Sequence, residues 1–345
     1  MIERGVGERV TVVVPNWNGG EMLVTVLRAL EAQTFTGYEV IVVDNASTDG
    51  SLEHAESVLS SFRALRLDRN TGFAAACNAG AEAARGELVA FLNDDAPPEP
   101  TWLQELVDCI DRHPRACCVD SKLLRIGSDG VLDGAGDALT WALKAYRRGF
   151  GLPADGRFEQ EEQVFLAAGT ACLWRAETFR ALGGFAAEFF AYYEDVDLSF
   201  RAQRAGHEIW FSPAAVAWHR REERVATRRA SDAHLALRNR WATIVRNAPG
   251  WWLVRKSPVI ALGEVLLLGR SILAGELPHY LRAARHVIGR APALLRERRT
   301  IAGLGELKSE RVEQFVSRRM PPVSGSLDRI RRPRRGHAVS SGGVS

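Results

Sequence analysis

An acidic segment in the second half of the chain combines carboxylates with aromatic residues. Residues 190–201 contain Glu194, Asp195 and Asp197, and an arginine, Arg201, closes the segment. Burying an unpaired carboxylate costs roughly several kcal/mol, so such a cluster is typical of a cleft that handles protons, cations or polar ligands. An exposed helix N-terminus is the alternative, because three acids there would complement the helix dipole.

A second acidic site lies upstream, in the run Asn93-Asp94-Asp95, directly after an apolar stretch. Adjacent carboxylates at the end of a strand suit Mg²⁺ or Mn²⁺, because such ions take one or two protein carboxylates and complete their shell with water and substrate phosphates. A nucleotide diphosphate held by a metal ion therefore fits this run. The competing interpretation is a polar turn that precedes the next helix.

The elements that must position these side chains alternate along the first third of the chain. Short β-branched runs predict strands over residues 10–15, 39–44, 64–67 and 87–92, and helical spacing of apolar residues predicts helices over residues 21–32, 51–62 and 72–84. Alternating strands and helices predict an α/β fold with a doubly wound, mostly parallel sheet and helices on both faces. Ligands of such sheets bind beyond the carboxyl ends of the strands.

Three polar motifs follow the predicted strands at those ends. They are the runs at residues 15–18, 44–50 and 93–95. The sequence contains neither GxGxxG after the first strand nor GxxxxGK[ST], so dinucleotide and P-loop sites lose their usual support. The sequence thus predicts a polar crevice at one edge of the sheet.

Taken in order, these motifs resemble the family 2 glycosyltransferases with a GT-A fold, and the bacterial rhamnosyltransferase-like branch most closely. The resemblance extends from about residue 10 to residue 219. It is carried by the runs VVPNWN at 13–18, VVDNASTDGS at 42–51, NTGFAAACN at 70–78, LNDD at 92–95 and EDVDL at 194–198.

The resemblance implies a role for each matched residue on the donor side. Asp44 would accept a hydrogen bond from the imide N–H of uracil or thymine, which favours a UDP- or dTDP-sugar such as dTDP-rhamnose. Nucleotide-sugar binding is expected of Pro15, Asn18, Asp44, Asn45, Asn70, Gly72, Phe73, Asn78, Asn93 and Asp94. Phe73 could equally pack a helix. The usual DxD metal motif begins here with Asn93, which leaves Asp95 as the direct metal ligand, completed by His219; a packing role is the alternative for His219.

On the acceptor side, the resemblance implies an inverting single displacement with Asp195 as the catalytic base. An acceptor hydroxyl has a pKa far above neutrality, so a positioned carboxylate must take its proton. Glu194 would orient the acceptor, while Asp197 and Arg201 would hold the segment in place. Gly169 and Trp174 match acceptor-side segments of the family.

Composition and charge limit the partners and the cellular setting that the chain can have. The 345 residues carry a net charge of +3, and arginines concentrate after residue 219 and in the run 331–335, which favours phosphate-bearing partners or an anionic membrane surface. Five cysteines without CxxC spacing argue against disulfides and structural zinc and favour a reduced, cytoplasmic setting. No secretory signal is recognised at the start.

The predicted organisation is a catalytic domain over residues 1–225, with a nucleotide-sugar half at about 8–97 and an acceptor half at about 98–225. A helical extension follows over 226–320, and a basic, disordered tail over 321–345. Residues 127–158, rich in glycine and charge, are predicted to be a mobile insertion.

Within the extension, Trp251 and Trp252 and the stripe of Leu281, Ile288 and Leu295 predict a helix lying on the cytoplasmic face of the plasma membrane, where a glycan or polyprenyl-linked acceptor would be reached. An ordinary bundle helix packed on the catalytic domain is the alternative. Nucleic acid is not expected as a partner.

Two other functions stay open at the level of sequence. A nucleotidyltransferase shares a nucleotide-binding α/β core, but no glycine-rich, lysine-containing start follows the first strand. A non-catalytic, membrane-bound scaffold that binds a nucleotide-sugar is the second alternative, and the presence of all four residues Asp44, Asp95, Asp195 and His219 argues against it.

Overall fold

The computed structural model describes residues 8–128, 130–140, 142–220 and 230–317. Its strands are β1 Val10–Asn16, β2 Tyr38–Asp44, β3 Arg63–Arg66, β4 Leu88–Leu92, β5 Ala116–Arg125, β6 Leu132–Ala135, β7 Asp137–Thr140, β8 Ala145–Arg147, β9 Glu162–Val164, β10 Ala171–Arg175, β11 Glu208–His219 and β12 Val316–Ser317. Its helices are α1 Glu21–Glu31, α2 Ser51–Val58, α3 Phe73–Ala83, α4 Trp102–Arg112, α5 Ala176–Ala181, α6 Glu194–Arg204, α7 Ala230–Asn247, α8 Gly250–Leu273, α9 Leu277–Ala302 and α10 Ser309–Phe315. The predicted boundaries agree to within one residue for β3, β4 and α3, whereas α2 ends four residues earlier than predicted.

The central sheet has the strand order β3-β2-β1-β4-β10-β5-β11-β9, with β6 paired to β5. Strands β3, β2, β1 and β4 are parallel, as predicted. Antiparallel β10 then separates β4 from β5, and β11 runs parallel to β5. The carboxyl ends of β1, β2 and β4 therefore meet at one edge of the sheet, beside the start of β10.

Strand β1 shows why this sheet is covered on both faces. All seven of its residues are buried. Alternate side chains point to opposite faces, so Val10, Val12 and Val14 join the core beneath α1 and α4, while Val13 joins the core beneath α3 and α6. A strand apolar on both faces needs helices on both sides, which the βα alternation supplies.

Residues 132–140 and 142–147, which lie within the predicted mobile insertion, form paired strands, so the prediction is wrong for this part of 127–158. Strand β6 pairs with β5, and β7 and β8 form a small second sheet with β12. Leu132, Asp133 and Ala135 are fully buried. Glycine and charge misled the prediction, because the charged side chains here pair with one another inside the protein.

The C-terminal helices pack onto the part of the protein that contains the central sheet, residues 8–220, which we call the catalytic part. One apolar cluster joins Leu139, Phe165 and Phe200 of that part to Trp252 and Val312 of the extension. The side chain of Trp252 is fully buried and Trp251 is half-buried, so the expectation of an interfacial tryptophan pair is wrong for Trp252. No helix in the described part of the chain is long and apolar enough to cross a membrane. The predicted tail at 321–345 lies outside the described residues.

Candidate active site

Asn16 organises the edge of the sheet at the end of β1. Its amide donates to Asp44 Oδ1 at 2.9 Å, Ser47 Oγ at 3.0 Å and Ser51 Oγ at 3.1 Å. The backbone N–H of Ser47 donates to the other oxygen of Asp44 at 3.2 Å. Asp44 is thereby held rigidly at the end of β2, as an acceptor of fixed orientation. Asn18 fixes the next turn, since its Oδ1 accepts from the backbone N–H of Thr48 at 2.8 Å.

Asn45 links the second motif to the third. Its amide donates to Asn70 Oδ1 at 3.1 Å and to the carbonyl of Gly72 at 3.2 Å, and its oxygen accepts from the backbone N–H of Thr71 at 2.8 Å. The N–H of Gly72 donates to Asn70 Oδ1 at 2.9 Å. The structure thus brings Asn45, Asn70 and Gly72 together as one hydrogen-bonded turn beside Asp44.

The turn Asn93-Asp94-Asp95 follows β4 at the same edge. Gly19 lies directly against it: a Cβ at that position would stand 2.5 Å from Asn16 Oδ1 and 2.9 Å from Asp94 Oδ2. Only a glycine allows the loop after β1 to approach this acid so closely. The structure therefore places Asp94 next to Asn16, at the base of the crevice, with Asn93 between Asp94 and the end of β4.

Asp95 and His219 lie together, although 124 positions of sequence separate them. His219 Nε2 is 3.5 Å from Asp95 Oδ1, and both side chains are mostly buried. Two ligands about 2.1 Å from one ion lie roughly 3 Å apart in octahedral geometry, so this pair fits a divalent cation. The other ring nitrogen of His219 is 2.8 Å from Asp133 Oδ2. Asp133 is fully buried and would orient the imidazole as a supporting carboxylate does in metal sites.

The pKa of His219 reflects these contacts. Burial lowers it, but the hydrogen bonds with Asp133 and Asp95 outweigh burial and raise the pKa above its ordinary value. Two carboxylates thus face one imidazole, and their negative charge favours a bound cation.

Arg147 balances the buried acids around the cleft. It donates to Asp133 Oδ2 and, at 3.2 Å, to the hydroxyl of Thr170. Burial lowers the pKa of Arg147, but nearby carboxylates, Asp133 first, raise it overall. The carboxyl of Asp137 is also attracted by Arg147, but burial outweighs this attraction and raises its pKa to about 7. Four carboxyls, those of Asp133, Asp137, Asp195 and Asp120, therefore lie near this one guanidinium.

Asp195 lies across the crevice, at the first turn of α6. Its Oδ2 accepts from the backbone N–H of Gly169 at 3.0 Å and its Oδ1 from that of Val196 at 2.7 Å. Burial raises its pKa above the ordinary value, although those two N–H groups and Arg147 oppose the shift. A carboxylate with a raised pKa is a better proton acceptor near neutral pH.

Residues 169–170 connect Asp195 with the acidic turn. Gly169 donates to Asp195, and the carbonyl of Thr170 accepts from the backbone N–H of Asn93 at 2.9 Å. The candidate base and the candidate metal ligands therefore stand on either side of one short backbone segment.

Glu194 has a different environment. It is buried, its Oε2 has no hydrogen-bond partner among the described residues, and burial together with Asp195 raises its pKa well above the ordinary value. The two neighbouring carboxyls thus differ, since Asp195 is held by backbone N–H groups and Glu194 is held in an apolar setting.

The loop that leads into α6 has an unusual backbone. Phe190, Tyr192 and Tyr193 all have positive φ, at 66°, 73° and 70°. Such conformations cost about 1–3 kcal/mol each and persist only where neighbours enforce them. Here the buried amide of Asn239 donates to the carbonyls of Phe189, Ala191 and Tyr192 at 2.7–2.9 Å.

Asp197 and Arg201 hold α6 in place, as predicted. Arg201 Nε donates to Asp197 Oδ2 at 2.9 Å, and its guanidinium also reaches the carbonyls of Leu182 and Gly184. Asn247 donates to the second oxygen of Asp197 at 2.7 Å. The helix that bears Asp195 is thus tied to both the preceding turn and α7.

Three predicted residues stand apart from the hydrogen-bonded crevice, and a fourth, Phe73, borders it. Asn78 donates to the carbonyl of Phe185 at 2.8 Å and accepts from its N–H at 2.9 Å, so its amide braces the 183–185 turn. Trp174 is 1% exposed and packs in the core instead of the cleft. Pro15 is buried in β1, and Phe73 is half-buried beside Gly169.

Sequence reasoning missed Asn16, Ser47, Asp133, Arg147 and Asn239. Asn16 and Ser47 lie inside recognised motifs and were detectable there. Asp133, Arg147 and Asn239 carry no motif, because their importance comes from burial beside partners that are distant in sequence.

Comparison with known proteins agrees with this geometry. The profile of the family described as Glycosyl transferase family 2 matches residues 11–182. An uncharacterised Sinorhizobium fredii protein, y4gI, is 30% identical over 68% of this chain and 28% of its own length. The N-acetylglucosaminyl-diphospho-decaprenol L-rhamnosyltransferase of Mycobacterium tuberculosis is 28% identical over 70% of this chain and 85% of its own length. The chain thus spans less than a third of the first relative and most of the second.

Solved structures share the fold. GalNAc-T7 with UDP, GalNAc and Mn²⁺ superimposes with a TM-score of 0.57 and 18% identity, covering 69% of this chain and 47% of that one. Residues 1–349 of S. aureus TarS with UDP give a TM-score of 0.52 and 18% identity, covering 89% of this chain and 83% of that one. These likenesses confirm the predicted GT-A fold.

Proposed function

Because the chain belongs to glycosyltransferase family 2, we propose that it moves a sugar from a nucleotide-sugar donor to an acceptor hydroxyl. The observation that carries this proposal is the segment 169–170, which joins Asp195 to the turn that holds Asp95 beside His219. A base and a cation site on opposite sides of one crevice are what a single-displacement glycosyl transfer requires.

The proposed donor is a UDP- or dTDP-sugar. Asp44 offers a rigid carboxylate at the sheet edge, and its chemistry matches the imide N–H of uracil or thymine. The rhamnosyltransferase relative makes dTDP-rhamnose the first donor to test, and the two neighbours solved with UDP make UDP-sugars the next. The name of that relative also favours a lipid-linked, diphosphate-bearing acceptor, which would place the reaction in cell-envelope polysaccharide synthesis.

In the proposed mechanism, Asp195 removes the proton of the acceptor hydroxyl as that oxygen attacks the anomeric carbon from the face opposite the leaving diphosphate. Inversion follows from this single displacement. Gly169 and Val196 hold the carboxylate in position through their N–H groups. Asp95 and His219 would hold a Mg²⁺ or Mn²⁺ ion, which neutralises negative charge on the departing diphosphate when bound. Asp133 keeps the imidazole aligned.

The outer face of α8 supports a peripheral position on the cytoplasmic membrane surface. Val254, Leu262, Val265 and Leu273 are 59–91% exposed along this helix. Its acid, Glu264, turns inward and pairs with Arg240 at 2.5 Å. Arg270 stays exposed on α8, and Arg255 is 65% exposed although it lies 3.5 Å from Glu313. Both arginines can meet anionic headgroups, so the proposed occupant is an anionic bilayer surface.

The proposed function is tested by donor turnover with Asp195→Asn. Purified full-length protein is given dTDP-rhamnose or a UDP-sugar, Mn²⁺ and a polyprenyl-diphosphate-linked acceptor. The variant should lose transfer by at least about 10³-fold while binding the donor normally, because only the proton acceptor is lost. Full transfer by the variant would eliminate Asp195 as the base.

The cation site is tested by Asp95→Ala in the same assay. Donor binding by this variant should no longer respond to Mn²⁺, whereas Asp195→Asn keeps the response and serves as the control. An undiminished Mn²⁺ response in Asp95→Ala would contradict the assignment.

Membrane contact is tested by co-sedimentation with phosphatidylglycerol vesicles. The double variant Val265→Asp/Leu266→Asp should lower the bound fraction at least about tenfold, because it places two charges on the apolar stripe. Val58→Asp, on α2 and 43% exposed in the native protein, is the matched control and should bind as the native protein does. Equal binding by all three proteins would exclude α8 as the contact.

A further inference from the structure

Basic side chains gather where α7 and α9 lie side by side. His234 and Arg238 are one turn apart on α7, and Arg282, His286 and Arg290 succeed one another at one-turn spacing on α9. Arg238 of α7 lines one small cavity with His286 and Arg290 of α9. Further along both helices, Arg298 of α9 donates to the carbonyl of Val245 on α7 at 2.7 Å, so the two helices run in the same direction. The two basic rows therefore face each other along their first halves. We call these five residues the basic row pair.

The members of this basic row pair repel one another. Burial lowers the pKa of His234, and Arg282, Arg238 and His286 lower it further. Burial also lowers the pKa of His286, with Arg238 and Arg290 acting in the same direction. The pKa of Arg238 is lowered by burial and by Arg290. Like charges this close disfavour one another's charged forms, and a bound anion would relieve that cost.

The described part of the chain supplies little negative charge to balance the basic row pair. Glu188 faces Arg238, but its carboxylate is taken by Arg246 at 2.6 Å. Glu297 lies 3.1 Å from Arg290 at the far end of the rows. His234 is 7% exposed, and its Nε2 has no hydrogen-bond partner among the described residues. An imidazole N–H at this position, near several guanidinium groups, can donate to an anion that enters from outside.

The basic row pair is joined directly to the loop that precedes the candidate base. Arg238 donates to the carbonyls of Glu188 and Phe189 at 3.1 and 2.8 Å. The adjacent Asn239 donates to the carbonyls of Ala191 and Tyr192. An anion held by the basic row pair would thus lie on the acceptor side of the cleft, next to the turn that carries Asp195.

We propose that the basic row pair binds the phosphate groups of the acceptor, and specifically the diphosphate of a lipid-linked acceptor. This inference rests on the function proposed above. Guanidinium groups bind phosphate oxygens through paired N–H donors, and a histidine beside a phosphate gains a proton more readily. The apolar stripe of α8 would hold the lipid end at the bilayer while the basic row pair holds the diphosphate and Asp195 meets the sugar hydroxyl.

The first test measures binding of inorganic diphosphate to the full-length protein by isothermal titration calorimetry. The variant Arg282→Gln/His286→Gln removes two exposed members and should weaken binding at least about tenfold. Arg299→Gln removes an exposed arginine near the other end of α9 and should bind diphosphate as the native protein does. Unchanged thermal unfolding would show that both variants are folded. Equal binding by all three proteins would overturn the proposal.

The second test uses transfer kinetics with two acceptors that carry the same sugar. In the double variant, KM for the diphosphate-linked acceptor should rise at least about tenfold, while KM for the donor and for a phosphate-free alkyl glycoside stays at the native value. A rise of equal size with the phosphate-free glycoside would contradict a phosphate site.

A third measurement separates the acceptor from membrane lipid as the source of phosphate. Inorganic diphosphate should compete with the diphosphate-linked acceptor, and binding to phosphatidylglycerol vesicles should be the same for the double variant and Arg299→Gln. Loss of vesicle binding without competition would assign the basic row pair to lipid headgroups instead. The calorimetric test needs no turnover, so it tests the anion site independently of the proposed function. An absence of transfer activity would count against the proposed function only.

Discussion

At the scale of single residues, Asp133 has the clearest supporting role. It is fully buried, lies 2.8 Å from His219 Nδ1 and pairs with Arg147. A carboxylate in this position sets which ring nitrogen of His219 faces Asp95, because the other nitrogen is engaged. Asp133 therefore acts on the proposed cation through His219.

Asp133→Asn should weaken Mn²⁺ binding by about 10- to 100-fold, because it removes the charge that orients the imidazole and keeps the side chain's size. The measurement is a Mn²⁺ titration followed by electron paramagnetic resonance with UDP or dTDP present. Asp137→Asn, also buried and near Arg147, is the control and should keep native affinity. The same loss in both variants would point to a general charge effect instead of alignment of His219.

At the scale of elements, the loop at residues 190–193 depends on close contact with the start of α3. Gly72 has φ of 86°, and a Cβ there would stand 2.5 Å from the carbonyl oxygen of Phe190. The N–H of Ala74 donates to the same carbonyl at 3.2 Å. One glycine thus lets the donor-side turn and the loop before Asp195 touch.

Gly72→Ala should destabilise the protein by about 2–5 kcal/mol and lower the transfer rate. The cost of an alanine in the left-handed region and the cost of its clash with the Phe190 carbonyl would add to each other. Gly50→Ala is the matched control. Gly50 has φ of 76° with nothing within 4 Å of its added Cβ, so strain alone should cost about 1–2 kcal/mol. Urea unfolding and transfer assays measure both effects. Equal costs and equal rates in the two variants would show that the Phe190 contact is unimportant.

At the scale of the whole molecule, the catalytic part and the C-terminal helices share a core. Trp252 and Val312 pack with Phe165 and Phe200, and Asn247 donates to buried Asp197. The C-terminal strand β12 pairs with β7. A boundary near residue 225, as the sequence suggests, would cut through these contacts.

A chain ending at residue 225 should therefore lose cooperative unfolding, because Phe165, Phe200 and the carboxylate of Asp197 would be exposed or unpaired. A chain ending at residue 317 keeps every contact described above and should unfold with the native Tm. Circular dichroism during heating measures both proteins. A cooperative transition in the shorter chain would show that the catalytic part folds alone.

Much of the fold was predictable because its signals are local. Val10, Val12 and Val14 indicate a buried strand, and Leu23, Val26, Leu27 and Leu30 indicate the covering helix; all seven are buried as expected. The fold class and the family are confirmed. The paired strands within residues 127–158 were misjudged, because pairing of buried charges such as Asp133 with Arg147 leaves no periodic signal.

The sequence by itself determined the alternation of strands and helices, the strand-end motifs and the family, since each depends on neighbouring residues or on spacing along the chain. Only the tertiary structure decided that His219 lies 3.5 Å from Asp95, that Asn239 braces the strained loop, and that the basic rows of α7 and α9 face each other. These relations depend on how distant segments pack, and packing is fixed by shape and burial over the whole molecule.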